Sequence, residues 1–185
     1  GKGHRREEEV GARAKENQVP VLYVNQVGGQ DELLFDGASI AYDIQGEAIF
    51  TANEFAQDFV LFEYDQANKQ LSTERENSIQ LHDEAEIWQA LVLGTRDYIH
   101  KNSMKGALLG LSGGIDSAVT LAVAVDALGA ENVNAVMMPF KYTASMSIED
   151  AKSEAEALGI EFDIISIEPM YEAFMGQLQN KFEGT

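Results

Sequence analysis

The sequence predicts an α/β chain. A doubly wound parallel sheet is expected in its second half, behind a section made of one helix and several neighbouring strands. Three observations carry this. After about residue 82, short apolar runs alternate with segments of helical periodicity in three strand–helix units. Glycine follows two of those helical segments, at Gly129 and Gly159, where a helix stop belongs. Before residue 66 the apolar runs follow one another with only turn residues between them, as strands in hairpins do.

Element by element, residues 4–17 read as a charged surface helix, with Pro20 closing the turn after it. VPVLYVNQV (19–27), apolar and β-branched, reads as a buried strand, and VGGQDE (27–32) as a loop. LLFDGASIAYDIQGEAIF (33–50) reads as a hairpin that turns at residues 43–46, and DFVLFEYD (58–65) as a further strand. The text then turns polar. The expected division is a first domain over residues 1–66, a linker over 67–82 and a second domain over 83–185.

Residues 83–101 carry Ile87, Leu91 and Tyr98 at the spacing of one helix face, with Asp83 and Glu84 suited to the positive end. Trp88, Leu91 and Tyr98 read as core. Strands follow at 107–111, 133–138 and 160–167, and helices at 116–128, at 147–158 and from Pro169 onward. Ser147 with Asp150 gives the second of these helices a start like a capping box. Met137 and Met138 end a buried strand, where packing explains them.

Composition narrows the function classes. The 185 residues carry a formal net charge of −18, which repels nucleic-acid phosphates and anionic membranes, so neither is an expected partner. There is no cysteine, hence no disulfide, thiolate metal site or cysteine nucleophile in this chain. His4, His82 and His100 are dispersed without metal-ligand spacing. No apolar run reaches spanning length and no leader pattern is visible, so a cytoplasmic location is expected. GKGHRREEEV has no Met and starts in what reads as mid-helix, so the chain is expected to be a fragment.

The stretch LLGLSGGIDSAV (108–119) is the most informative. Gly110, Leu111, Ser112, Gly113, Gly114, Ile115, Asp116 and Ser117 lie between a strand and its helix, at the carboxyl end where such sheets bind ligands. The loop lacks the lysine of a Walker A sequence and the spacing of a dinucleotide fingerprint. Gly113 and Gly114 let bare N–H groups approach an anion, and the helix beginning near Asp116 adds its positive end. The Ser112 and Ser117 hydroxyls are expected to donate to phosphate oxygens. A carboxylate among phosphates makes sense if Asp116 holds Mg²⁺. The competing reading is a glycine-rich turn in which Asp116 and Ser117 only cap the helix.

SGGIDS resembles the signature of the N-type ATP pyrophosphatases, which cleave ATP to AMP and pyrophosphate and thereby adenylate a substrate. GALLGLSGGIDSAV with AVMMPFKYTASMSIEDAKSEAEALGI is most similar to the NAD synthetases within that group. The section GK, charged helix, VPVLYVNQVGGQDELLFDGASIAYDIQG resembles the end of a nitrilase-like glutaminase domain, which precedes the synthetase in glutamine-dependent members.

The resemblance implies a nitrilase-like α/β/β/α sandwich followed by an adenine nucleotide alpha hydrolase-like, Rossmann-like sheet. It implies ATP on residues 110–117 with Mg²⁺ on Asp116, adenine against the backbone near Met137, and Lys2 lining the glutamine site. The substrates would be ATP, deamido-NAD and glutamine or ammonia, in a homo-oligomer. The family's Glu-Lys-Cys glutaminase triad is expected upstream of this segment, and the elements that bind deamido-NAD and complete the ATP site are expected downstream of Thr185. Two other readings stay open: a non-catalytic adenine-nucleotide-binding module, and another N-type ATP pyrophosphatase amidotransferase.

Overall fold

The charged opening segment folds as α1 (Lys2–Asn17) and buries one stripe, on which Val10 and the fully buried Ala14 pack against a small sheet. The computed structural model describes the backbone of residues 2–182 and the side chains of residues 6–179 and 181. The chain divides into two units, one ending at Asp97 and the other beginning at Tyr98.

In the first unit, β1 (Val21–Tyr23), β2 (Val27–Gln30), β3 (Leu33–Asp36), β4 (Ile40–Tyr42) and β5 (Ala48–Thr51) are all antiparallel. β4 is central, paired with β1 and β5, and its alternation decides the two sides of that sheet. Ile40 and Tyr42 meet α1, whereas Ala41 joins Phe50 and Ala52 on the opposite side with Val60, Phe62 and Leu71. The turn at 43–46 forms where the sequence puts it. Asp43 Oδ1 accepts the N–H groups of Gln45 and Glu47 at 2.9 Å, and Gly46 takes the positive φ of 84°.

Three local expectations are corrected here. Residues 19–27 are not one buried strand: β1 stops at Tyr23 and Val24 is exposed. The break is at Asn25, whose N–H donates to Ser39 Oγ (3.0 Å) and whose amide donates to Asp36 Oδ1 (2.6 Å) instead of joining a ladder. Residues 27–32 are not a loop throughout, because β2 pairs with β3 and only the turn at Asp31, with φ of 50°, lies outside. Residues 58–65 form a strand only in β6 (Glu63–Asp65), which pairs with β7 (Gln70–Ser72) inside the stretch read as linker.

Asp58 explains the last of these. It accepts the N–H groups of Asn53 (2.9 Å) and Phe59 (2.8 Å) and pairs with Arg75, a local knot that replaces strand pairing. The Asn53 N–H foremost, then Arg75 and the Phe59 N–H, outweigh desolvation and hold its carboxyl below the ordinary 3.8. A depressed carboxyl stabilises the fold above its unfolded value and loses that contribution as pH falls through its folded value. We therefore expect Asp58→Asn to flatten the loss of first-unit stability below about pH 4, read by urea melts across pH 2–6.

α2 (Asp83–Lys101) follows, with Asp83, Glu84 and Glu86 in its first turn. Its buried residues are Val92 and Leu93, whereas Ile87, Leu91 and Tyr98 are 61%, 47% and 54% exposed. The expected core face is thus wrong, because apolar residues lie on more than one side of this helix. Within the first unit, α2 approaches β2 closely at two glycines. A Cβ on Gly29 would lie 3.3 Å from the Gly94 Cα, and the Gly29 N–H donates to Asp97 Oδ2 at 2.7 Å.

The second unit is the strand–helix repeat. β8 (Ala107–Gly110), α3 (Ile115–Leu128), a 3₁₀ turn (Ala130–Asn132), β9 (Val133–Met137), α4 (Ser145–Leu158), β10 (Glu161–Ile164) and α5 (Glu168–Phe182) follow in order. β8 and β10 flank β9 and both run parallel to it. Leu121, Ala124 and Leu128 of α3, Val133, Ala135 and Met137 of β9, and Ala151 and Ala155 of α4 are buried. Gly129 and Gly159 end α3 and α4 at positive φ.

Helix α4 begins at Ser145, capped by Ala144 with no side-chain bond, so Ser147 lies inside the first turn rather than at a capping box. Met138 differs from expectation too, since it lies past the strand and is half exposed.

Candidate functional site

The expected phosphate loop is built by the end of β8 and the start of α3. In parallel register Gly110 lies opposite Val136, and the Leu111 N–H continues the ladder by donating to the Val136 carbonyl at 2.9 Å. Leu111, 2% exposed, anchors the loop in the core. The chain then leaves the sheet and turns at Gly113, where φ is 76°.

This turn needs glycine twice over. Its positive φ disfavours a side chain, and a Cβ on Gly113 would lie 2.2 Å from the Ser147 carbonyl oxygen and 2.8 Å from the Ser147 Cα. The loop therefore rests directly on the backbone of the first turn of α4. Gly114 is different: its φ of −98° is ordinary and a Cβ there would meet only Ser112 Oγ at 3.4 Å.

The two hydroxyls close the loop on itself. Ser117 Oγ donates to the Gly114 carbonyl (2.8 Å), so across the 3.0 Å hydroxyl contact Ser112 Oγ is the donor and Ser117 Oγ the acceptor. Ser117 Oγ also accepts the Ser112 N–H at 3.2 Å, and Ser112 Oγ accepts the Gly114 N–H at 3.3 Å. Both hydroxyl protons, expected on phosphate oxygens, are thus committed within the loop. The donors left over are the N–H groups of Ile115, Asp116 and Ser117, which the first turn of any helix leaves without intrahelical acceptors. They stand at the positive end of α3 and suit an anion.

Asp116 is exposed in that same turn, and its carboxylate makes no ion pair or hydrogen bond among the described residues. No group of three or more His, Asp or Glu side chains gathers as a metal cage among the described residues. A lone exposed carboxylate fits Mg²⁺, which keeps waters and shares itself between one or two carboxylates and substrate phosphates. It does not fit a cation held by protein alone.

Met137, 3% exposed, ends β9, and its carbonyl accepts the Ile165 N–H at 2.8 Å. The Lys2 side chain lies outside the described residues. The Gln30, Asp31 and Glu32 side chains are solvated, as expected of a loop tip.

Three groups were missed. The half-exposed Met138 reaches over the strand end, its Cε 3.7 Å from where a Cβ on Gly110 would be. The Ser147 carbonyl supports Gly113. Residues 139–144 carry a small aromatic cluster: the Phe140 ring lies 4.8 Å from Tyr171 and 5.5 Å from Tyr142, both edge-on, and Lys141 rests its ammonium against all three rings. The FKYT text gave a signal for this, an aromatic–cation–aromatic run after a strand.

A separate cavity of about 440 Å³ in the first unit is lined by apolar side chains such as Val24, Val27, Phe50, Phe59 and Phe62. Its one carboxylate, Asp58, is already engaged by Arg75.

The carbon-nitrogen hydrolase family matches residues 4–71 and the NAD synthase family residues 87–185. The glutamine-dependent NAD(+) synthetase of Acinetobacter baylyi is 43% identical over 96% of this chain and 33% of its own length. That of Synechocystis is 45% identical over 92% of this chain and 30% of its own. Among solved structures, glutamine-dependent NAD+ synthetase from Acinetobacter baumannii in complex with ADP superposes with a TM-score of 0.92 at 44% identity, over all of this chain and 35% of that one. The chain thus spans about a third of the length of the relatives it matches. Among the described residues no helix is long and apolar enough to cross a membrane. With a match over more than half of its residues, behind a carbon-nitrogen hydrolase segment, the chain belongs to the NAD synthase family.

Proposed function

We propose that this chain is the junction of a glutamine-dependent NAD(+) synthetase and carries its ATP-cleaving loop. Residues 1–66 belong to the glutaminase part, 67–82 connect and 83–185 begin the synthetase part. The reading rests on one observation above all, a βα turn whose Gly113 is pressed on the α4 backbone and whose free donors are helix N–H groups.

In the proposed reaction the nicotinate carboxylate of deamido-NAD attacks the α-phosphorus of ATP and expels pyrophosphate. Ammonia released from glutamine then adds to the acyl-adenylate, and AMP leaves to give the amide. A free carboxylate is a poor acyl electrophile, and adenylation supplies the leaving group. The N–H groups of Ile115, Asp116 and Ser117 hold the departing pyrophosphate, and Gly113 lets them approach it. Asp116 holds Mg²⁺, which offsets phosphate charge. Gly110, Leu111, Ser112, Gly114 and the backbone beside Met137 contribute to the ATP site, and Lys2 lines the glutamine site. The same reading makes the full-length protein a cytoplasmic homo-oligomer acting on small molecules, with no nucleic acid or membrane partner.

The test is isotope exchange between pyrophosphate and ATP on the full-length protein. Exchange that requires both deamido-NAD and Mg²⁺ is expected. ATP binding without exchange would instead favour a non-catalytic nucleotide module.

A further inference from the structure

The loop that we assign to ATP contains an anion, Asp116, and no cation, in a chain of net charge −18. A cationic side chain aimed at the triphosphate and the departing pyrophosphate would stabilise both. Between residues 111 and 185 the cationic side chains are Lys141, Lys152 and Lys181. Lys152 pairs with Glu156 along α4 at 3.7 Å, and Lys181 is in the last turn of α5. Of these three, Lys141 follows the carboxyl end of β9.

Its segment is tied to the phosphate loop from both sides. Just before it, the Met138 side chain covers Gly110, and just after it the Ser147 backbone supports Gly113. Between these points Phe140 and Thr143 close a short turn, through Thr143 N–H to the Phe140 carbonyl (2.8 Å) and Phe140 N–H to Thr143 Oγ1 (2.9 Å). Lys141 is at the tip of that turn. Among the described residues no carboxylate pairs with it. Its ammonium lies 5.2 Å from the Tyr142 ring centre, 5.5 Å from Phe140 and 6.0 Å from Tyr171. Aromatic faces steer a cation without neutralising it, so the charge stays available to an anion.

We infer that Lys141 is a phosphate-binding residue of the nucleotide site, presented by its aromatic cradle to the β- and γ-phosphates of ATP and to the pyrophosphate they become. This rests on the reading of residues 110–117 as the ATP loop.

The experiment compares wild type, Lys141→Gln and Lys141→Arg in the full-length protein, measuring binding of MgATP, pyrophosphate and AMP by calorimetry. For Lys141→Gln we expect MgATP and pyrophosphate to weaken about ten-fold or more while AMP changes less than about two-fold, with Lys141→Arg restoring most of the loss. Equal MgATP binding by wild type and Lys141→Gln would overturn the assignment while leaving the ATP loop intact. A parallel loss of AMP would also overturn it, by making Lys141 a mere support of the aromatic cluster. Failure of the wild type to bind MgATP would overturn both the assignment and the reading beneath it.

Discussion

Replacing Gly113 by alanine is expected to abolish nucleotide chemistry, cutting pyrophosphate exchange by at least about 100-fold. The added methyl would lie 2.2 Å from the Ser147 carbonyl oxygen, and the neighbour is backbone that cannot rotate away. Relief requires the loop to rise off α4, which carries the Ile115 and Asp116 N–H groups with it. A misplacement of about 1 Å is enough for a loss of that size. Strain at positive φ and the overlap together cost the second unit about 2–4 kcal/mol. Gly114→Ala is the control. Its φ of −98° and the 3.4 Å clearance to Ser112 Oγ leave stability within about 0.5 kcal/mol of wild type. Equal destabilisation by both substitutions would show that the contact with Ser147 does not shape the loop.

Removing the Asp116 carboxylate should have the opposite profile, with the fold intact and the activity lost. The side chain is exposed and makes no hydrogen bond or ion pair among the described residues, so thermal melts of Asp116→Ala and Asp116→Asn should match wild type. Exchange should fall about 100-fold or more, because the metal that offsets phosphate charge loses its protein anchor. Asp116→Asn keeps the shape and removes only the charge, so the Mg²⁺ concentration needed for half-maximal exchange should rise. Unchanged exchange and Mg²⁺ dependence in both variants would remove Asp116 from the metal site and leave it a first-turn acid of α3.

These two residues show how far the sequence could be read. The loop was legible because its requirements are local. A strand of alternating burial, glycines at the turn and an acid in the first turn of the next helix all speak within ten residues. What the sequence did not disclose was the partner that makes Gly113 obligatory, the Ser147 backbone more than thirty positions away. The apparent cap at Ser147 and Asp150 pointed elsewhere, since it placed the start of α4 two residues late, at Ser147.

The first unit was less legible for a related reason. Residues 19–27 have strand composition throughout, but Asn25 spends its backbone and side chain on Ser39 and Asp36, contacts that composition does not encode. The two glycines of β2 look like loop residues, and yet Gly29 serves close packing against α2. In α2 itself, periodicity located a helix to the residue, but with Ile87, Leu91, Val92 and Leu93 all apolar it could not choose the buried side. The hydroxyls of Ser112 and Ser117 suit phosphate when each is taken singly, but their contact with each other is not legible in the sequence. Their mutual geometry makes them fasteners of the loop.

The central claim is that the loop serves adenylation, and one oxygen atom tests it. Deamido-NAD labelled with ¹⁸O in the nicotinate carboxylate is turned over by the full-length protein with MgATP and glutamine, and the products are examined by mass spectrometry. Attack of the carboxylate on the α-phosphorus predicts one labelled oxygen in AMP and none in pyrophosphate. Label in inorganic phosphate, with ADP formed in place of AMP, would contradict the account.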